Sequence, residues 1–377
     1  MLSLFTDSHP AVLAAVLFVV GCCTGNLLLR WIVRMTPSES TGDAGEAPGC
    51  PNSPGWHRIP VFGSLLAGKR NSYRGERIGR WWAMTELGTG VLFACFAVAL
   101  LKYDCQATPM VQPSEFWRVG RLFYHLILIS LLIAATGTDI RDYFILDSVT
   151  MSGMFIGLVG AFAAAELQMM HIWLDWNQEV ASYQHPFFPA WIDSHRHLHG
   201  LAWSAAGMIT GAGLTWLMRT AGKLVLGYEA MGLGDVTLMA MIGSFTGWQP
   251  VIFVIMFGSV CGLVGGILLP LFSTRRYIPF GPYLSAGAVI VLFSWRDIWM
   301  LELPFLSGRG FSIRRFFGDW PSLLIMAGLA TGLFLFMLMV LRGYRAIPTT
   351  AHRRIARDQA SDRQTGNVDE EPNSGSS

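Results

Sequence analysis

The apolar positions of this chain are gathered into long runs rather than spread at amphipathic spacing. Runs bounded by charged or turn residues cover 11–33, 82–101, 122–138, 148–166, 199–218, 249–273, 279–294 and 321–341, most of them near the roughly 20 residues that a helix needs to cross the hydrocarbon core. A ninth run, 236–247, is too short to cross alone, but a helix whose polar start is buried in protein can still enter a bilayer. The pattern predicts an all-α fold, a polytopic membrane helical bundle of about eight or nine transmembrane segments. Asp7 precedes the first run, while Arg30 and Arg34 lie at its far end. It therefore reads as a retained helix with its N-terminus outside, and not as a signal peptide.

Composition supports the same class. Of the 377 residues 52% are hydrophobic and only 14% are Asp, Glu, Lys or Arg, against about 25% charged in soluble domains. An ordinary cytosolic globule is excluded. The formal charge of +2 carries no excess that would suggest a nucleic-acid partner, so the lipid bilayer is the partner that composition implies. Sorting the charges by loop is more informative. Threading nine segments puts loops 34–81, 139–147, 219–235 and 274–278 and the tail after 341 on one side, with 18 Lys and Arg, against 8 in loops 102–121, 167–198 and 295–320. Basic residues accumulate on the cytoplasmic side, so the first set faces the cytoplasm.

The six cysteines, Cys22, Cys23, Cys50, Cys95, Cys105 and Cys261, give no disulfide framework, and no C-x-x-C pair occurs, so no metal site is expected. His195-Arg196-His197-Leu198-His199, with His171 and His185 nearby, is read as a solvated histidine-rich loop, because the spacing is loose and the acidic partner at hand is Asp193 alone. Trp173, Trp176, Phe187, Phe188 and Trp191 in the same insert suit a helix at the membrane interface. Gly153, Gly157 and Gly160 fit close helix packing. The last 30 or so residues have almost nothing apolar to bury and read as a disordered cytoplasmic tail.

Carboxylates at span edges are costly and so are functional candidates. Asp139, Asp142 and Asp147 lie between two apolar runs; Glu229-Ala230-Met231-Gly232-Leu233-Gly234-Asp235 precedes another; Glu86 lies inside a span. In one continuous helix Asp139 and Asp147 would be about 12 Å apart along the axis, too far to share a proton. Asp142, beside Arg141, is read as solvated. A dyad therefore needs a carboxylate from elsewhere, and Asp235 fits, with Gly232 and Gly234 letting backbone approach it. Two carboxyl groups about 3 Å apart do not both ionise easily, which suits activation of a water against a peptide carbonyl. Taken singly, Asp139 is equally well accounted for as a helix cap or a partner of Arg141, and Asp235 as the cap of the next helix.

Together these residues resemble the prepilin peptidase family, membrane aspartic proteases with a G-x-G-D motif that process type IV prepilins and type II secretion pseudopilins. Glu229 to Gly247 is similar to the family's second motif almost throughout; Asp139 to Asp147 resembles the first, with Leu146 where the family has Pro; Ile278-Pro279-Phe280-Gly281-Pro282 resembles a later segment. The resemblance implies that Asp139 and Asp235 are the catalytic pair, with Gly232, Gly234, Asp147, Asp142, Glu229, Pro279 and Gly281 as substrate-binding or supporting residues. It further implies cleavage of a short basic leader at the cytoplasmic face of a bacterial inner membrane, without a cofactor for proteolysis.

The N-terminal part matches through Gly25-Asn26, Arg34, Ile59-Pro60, Gly68-Lys69 and Glu86. In the family this region methylates the new N-terminus with S-adenosylmethionine, and bacterial members often carry two Cys pairs in the loop. Here Cys50 alone remains of the first pair and the second is absent. S-adenosylmethionine is therefore expected only if methyl transfer is retained, and Glu86 is a candidate for cofactor binding or for pairing with an arginine in the bundle. Expected domains are 1–121, including loop 34–81; a peptidase core at 122–294; an extra span within 295–341; and the tail 342–377. The rival readings are an inert membrane scaffold of a pilus or secretion assembly, and a transporter. The latter should show an internal repeat with broken hydrophobic segments, and none is found.

Overall fold

The computed structural model describes residues 10–35, 61, 72–73, 76–77, 80–164, 166–173, 190–227, 231–272, 279–303, 311–313, 317 and 320–346. The first two helices are α1 (Pro10–Met35) and α2 (Arg80–Leu101); between them β1 (Ser72–Tyr73) pairs antiparallel with β2 (Glu76–Arg77). Next come α3 (Glu115–Asp142), α4 (Asp147–Ala163), the short α5 (Ala190–Ser194), α6 (Arg196–Leu226), α7 (Leu233–Thr246), α8 (Trp248–Phe272) and α9 (Gly281–Met300). The two-residue strands β3 (Glu302–Leu303) and β4 (Phe311–Ser312) and the long α10 (Trp320–Ala346) complete the order. The chain is a polytopic helical membrane bundle. Among the described residues six helices, α1, α2, α3, α6, α8 and α10, are long and apolar enough to cross a membrane, while α4 and α7 are shorter apolar helices of 17 and 14 residues.

Helix ends depart from the hydropathy boundaries where polar residues are buried against protein. α3 starts at Glu115 and not near 122, and the fully buried Arg121 sits in that extension, its Nη2 donating to the carbonyls of Glu166 (2.8 Å) and Gln168 (2.6 Å). Hydropathy reports contact with lipid, whereas a backbone helix continues as long as its i to i−4 bonds can form. α6 likewise runs past the apolar stretch through Lys223 and stops at Gly227, whose φ of 78° forms the left-handed cap. α10 continues to Ala346, so the first residues of the expected tail are helical.

Glycine contacts bring α4 and α6 close to α7, and α9 close to α8. Gly207 of α6 lies against the Gly243 carbonyl of α7, so close that a Cβ on either residue would overlap the other's backbone. Gly211 meets the Met239 carbonyl in the same way. Gly153 and Gly157 of α4 receive Met241 and Ser244 of α7, and Gly287 of α9 lies against the backbone of α8 at Val254 and Gly258. Lipid gives no hydrophobic drive for helices to associate, so close backbone approach and dispersion must supply it. Across this seam Tyr124 Oη donates to the Gly157 carbonyl at 2.8 Å and Ser204 Oγ to the Ser244 carbonyl at 2.6 Å.

At the end of the bundle away from Asp139, aromatic rings pack together. Trp173 stacks on Trp248 and lies 5.8 Å from Trp320, and Phe317 sits against Trp248, Phe253 and Trp299. The histidine segment differs from the expected solvated loop. Residues 190–194 and 196 onward are helical, and His199 is buried at 1% exposure, its Nε2 accepting the Ile172 N–H and its ring 5.5 Å from those of His171 and Trp191. His195 and His197 remain exposed. The chain folds back over His199, a long-range contact that local spacing does not encode. Trp176, His185, Phe187 and Phe188 lie outside the described residues. In the same region burial pushes the Cys105 thiol up to about 12, and its Sγ faces the Leu292 carbonyl.

Candidate active site

Three separate segments meet around two carboxylates. Asp139 is in the last turn of α3, 6% exposed. The helix ends just beyond it because Tyr143 takes a left-handed conformation (φ 56°) and returns its N–H to the Asp139 carbonyl at 3.0 Å. The chain then turns through Phe144, Ile145 and Leu146 before α4 begins at Asp147. Asp235 is the third residue of α7, 7% exposed, and its Oδ2 accepts the N–H of Gly232 at 3.1 Å. That bond is half of a capping box, since the N-cap glycine has no side chain to return the second half. The third segment is the start of α9, where the N–H of Gly281 donates to Asp139 Oδ2 at 3.0 Å.

The two carboxyl groups converge on one corner of the bundle. They come from α3 and α7, while Ile145 from the α3–α4 turn, 3% exposed, packs between the other two segments. A Cβ on Gly234 would lie 3.1 Å from Ile145 Cβ, and one on Gly281 would lie 3.1 Å from Ile145 Cδ1. One side chain thus sets the spacing of α7 and α9 at the point where both approach Asp139. Among the described residues, recorded hydrogen bonds engage only Oδ2 of each aspartate, which leaves both Oδ1 atoms for water or substrate.

The other sequence candidates distribute around this centre. Pro279 and Phe280 lead into α9, and the Phe280 ring packs edge-on to Phe334 of α10 at 5.4 Å and beside Gly262 of α8. Asp142 and Asp147 are both exposed, and Asp142 lies 3.7 Å from Arg141. Glu229 and Ile278 lie outside the described residues, as do Cys50, Ile59, Pro60, Gly68 and Lys69. The sequence reading named Gly281 without giving it a partner, and it passed over Ile145, which stands between the equally apolar Phe144 and Leu146 and so carries no signal of its own.

Glu86 belongs to a different set of contacts. It is fully buried on α2, where Oε1 accepts the Asn26 amide at 2.6 Å and Oε2 accepts the Val61 N–H, and Asn26 Oδ1 in turn accepts from Arg30 Nε at 2.8 Å. The carboxylate therefore joins α1, α2 and the segment at Val61, and Asn26 connects it to Arg30. Among the described residues no group of three or more His, Cys, Asp and Glu is arranged to hold a metal.

Comparison with known proteins agrees with the motif at Asp235. Residues 185–267 match the type IV leader peptidase family. The prepilin leader peptidase/N-methyltransferase of Xanthomonas campestris pv. campestris is 28% identical over 250 residues, covering 64% of this chain and 69% of its own length. That of Pseudomonas putida is 27% identical over 249 residues, covering 64% and 68%. That of Aeromonas salmonicida reaches 38% identity over a shorter stretch of 94 residues, 24% of this chain and 32% of its own. No solved structure matches the chain. Asp235 lies inside the stretch that matches the type IV leader peptidase family, and over about two thirds of its length the chain is similar to prepilin leader peptidase/N-methyltransferases.

Proposed function

We propose that the chain is a membrane aspartic endopeptidase that cleaves the leader peptide of type IV prepilins or type II secretion pseudopilins at the cytoplasmic face of a bacterial inner membrane. The observation that carries this reading is the convergence of Asp139 and Asp235, two buried carboxyl groups from different helices, at one corner of the bundle, where Ile145 lies against both Gly234, next to Asp235, and Gly281, which meets Asp139. In an apolar bundle such a pair is costly to assemble and is a functional site by default. One carboxylate takes a proton from water as the water oxygen attacks the scissile carbonyl carbon. The other, in its acid form, gives a proton to the carbonyl oxygen. Collapse of the resulting gem-diol breaks the C–N bond, and the amine leaves with a proton returned from the pair.

An intrahelical peptide hides its carbonyl, so the scissile segment must be extended to react. Gly232, on the entry to α7, leaves room for that backbone, since among the described residues nothing lies closer than 3.7 Å to where a Cβ on it would stand, whereas Gly234 makes room for Ile145. The peptidase core is assigned to 122–294, with the cytoplasmic orientation supported by the excess of Lys and Arg in loops on the Asp139 side. The relatives' names include N-methyltransferase; methyl transfer would require S-adenosylmethionine, and none of the proteolytic steps draws on it.

The test is to incubate detergent-purified protein with a prepilin-type substrate and to measure product masses. Cleavage after the leader's last residue is expected, and an added methyl group on the new N-terminus would reveal the second activity. Absence of any cleavage would overturn the reading. Asp142, Asp147 and Glu229 are assigned to hold the positive leader. Charge reversal to Lys at each is expected to weaken substrate binding about two- to five-fold, the scale of an exposed ion pair, with kcat little changed. An unaltered KM in all three variants would remove that role.

A further inference from the structure

The start of α9 meets the aspartate pair through its backbone and not through a side chain. Gly281 is the first residue of α9, so its N–H has no partner within the helix. The N-cap residue Phe280 offers no side-chain cap, and the carboxylate of Asp139, 142 positions earlier in the chain, accepts that N–H instead. The helix N-terminus carries partial positive charge, which favours a carboxylate there. Space is as tight as the bond implies, because a Cβ on Gly281 would stand 2.5 Å from Asp139 Oδ2. Phe280 is itself wedged against Phe334 of α10 and Gly262 of α8, which fixes the amide next to it.

We propose that Gly281 is a positioning residue for proteolysis: its backbone N–H holds one oxygen of Asp139, and its missing side chain allows the start of α9 to seat against that carboxylate. The inference rests on the proteolytic reading of Asp139 and Asp235, and assigns Gly281 to the aspartate and not to the substrate. It gives α10 a part in the reaction as well, as the support behind Phe280.

Two measurements test it. In the first, Gly281→Ala is compared with wild type on a prepilin-type peptide, with Gly213→Ala, whose Cβ would meet nothing within 4 Å, as a control for handling. A carboxylate displaced by about 1 Å is expected to lower kcat on the order of 100-fold, with KM unchanged. A normal kcat, or a loss confined to KM, would overturn the proposal, the latter by making Gly281 a substrate contact. The second measurement does not need the Ala variant to fold. Protein labelled with carbonyl-13C Phe and 15N Gly gives amide signals from the Phe-Gly pairs alone, at Gly63, Gly258, Gly281 and Gly318. In Asp139→Asn, which replaces a charged acceptor by a neutral one of the same shape, the Gly281 signal should move and the other three should not. An unmoved signal would overturn the hydrogen bond. If the wild type cleaves no prepilin peptide while the Gly281 signal still moves, the proteolytic reading falls and the hold on Asp139 stands.

Discussion

Replacing Asp139 by Asn is expected to abolish leader cleavage, and Asp235→Asn to do the same. General acid–base chemistry by a positioned group contributes about 10²–10⁴-fold, so each variant should lose at least about a thousandfold in kcat if the pair acts as a unit. Two groups that pass protons through one water are not additive, and the double variant should be no slower than either single one. The substitution suits the purpose because Asn keeps the shape of Asp and retains an oxygen to accept the N–H of Gly281 or of Gly232. Elution and thermal unfolding in detergent should therefore match the wild type. Undiminished cleavage by either variant would refute the dyad. Loss of folding along with activity would point to the bland alternative, in which each carboxylate is only a cap.

The second large effect is on assembly. Gly243→Val should destabilise the bundle strongly, because its Cβ would fall on the Gly207 carbonyl and neither helix backbone can yield locally. Overpacking of a tight contact costs about 1–3 kcal/mol, occasionally more, and here it forces α6 and α7 apart along the seam where Gly211 also meets Met239. Activity should fall with stability, since α7 carries Asp235 on its first turn. Gly213→Val and Gly328→Val are the counterparts: both sites are open, so changes within about 0.5 kcal/mol are expected. Thermal unfolding and the yield of monodisperse protein check all three. Equal loss at open and crowded sites would show that the seam is not what holds these helices.

How much of this was legible beforehand differs by element. The nine apolar runs each became a helix, because in lipid every backbone N–H and C=O must bond within its own segment and the run of apolar side chains is the record of that requirement. The ends were less legible. Arg121 is charged and yet buried inside the α3 extension, and no hydropathy window separates a residue shielded by protein from one facing water. The histidine cluster was read as solvated for a similar reason: nothing local indicates that His199 packs against His171 and Trp191. The aspartates were legible by elimination and by motif, since Asp139 could not reach Asp147 along one helix and Asp235 followed two glycines.

The sequence by itself determined that the chain is a membrane bundle, which carboxylates are placed at costly depth, and which of its motifs resemble the leader peptidases. Such properties follow from the order of residue types along the chain. Only the tertiary structure decided that the Gly281 amide holds Asp139, that Ile145 spaces α7 from α9, and that Glu86 is a joint between α1 and α2. These depend on backbone groups and on gaps left by absent side chains. Every residue but proline carries the same N–H, and a glycine looks the same in sequence whether it faces a carboxylate or open space, so distance in the folded chain is what distinguishes Gly281 from Gly213.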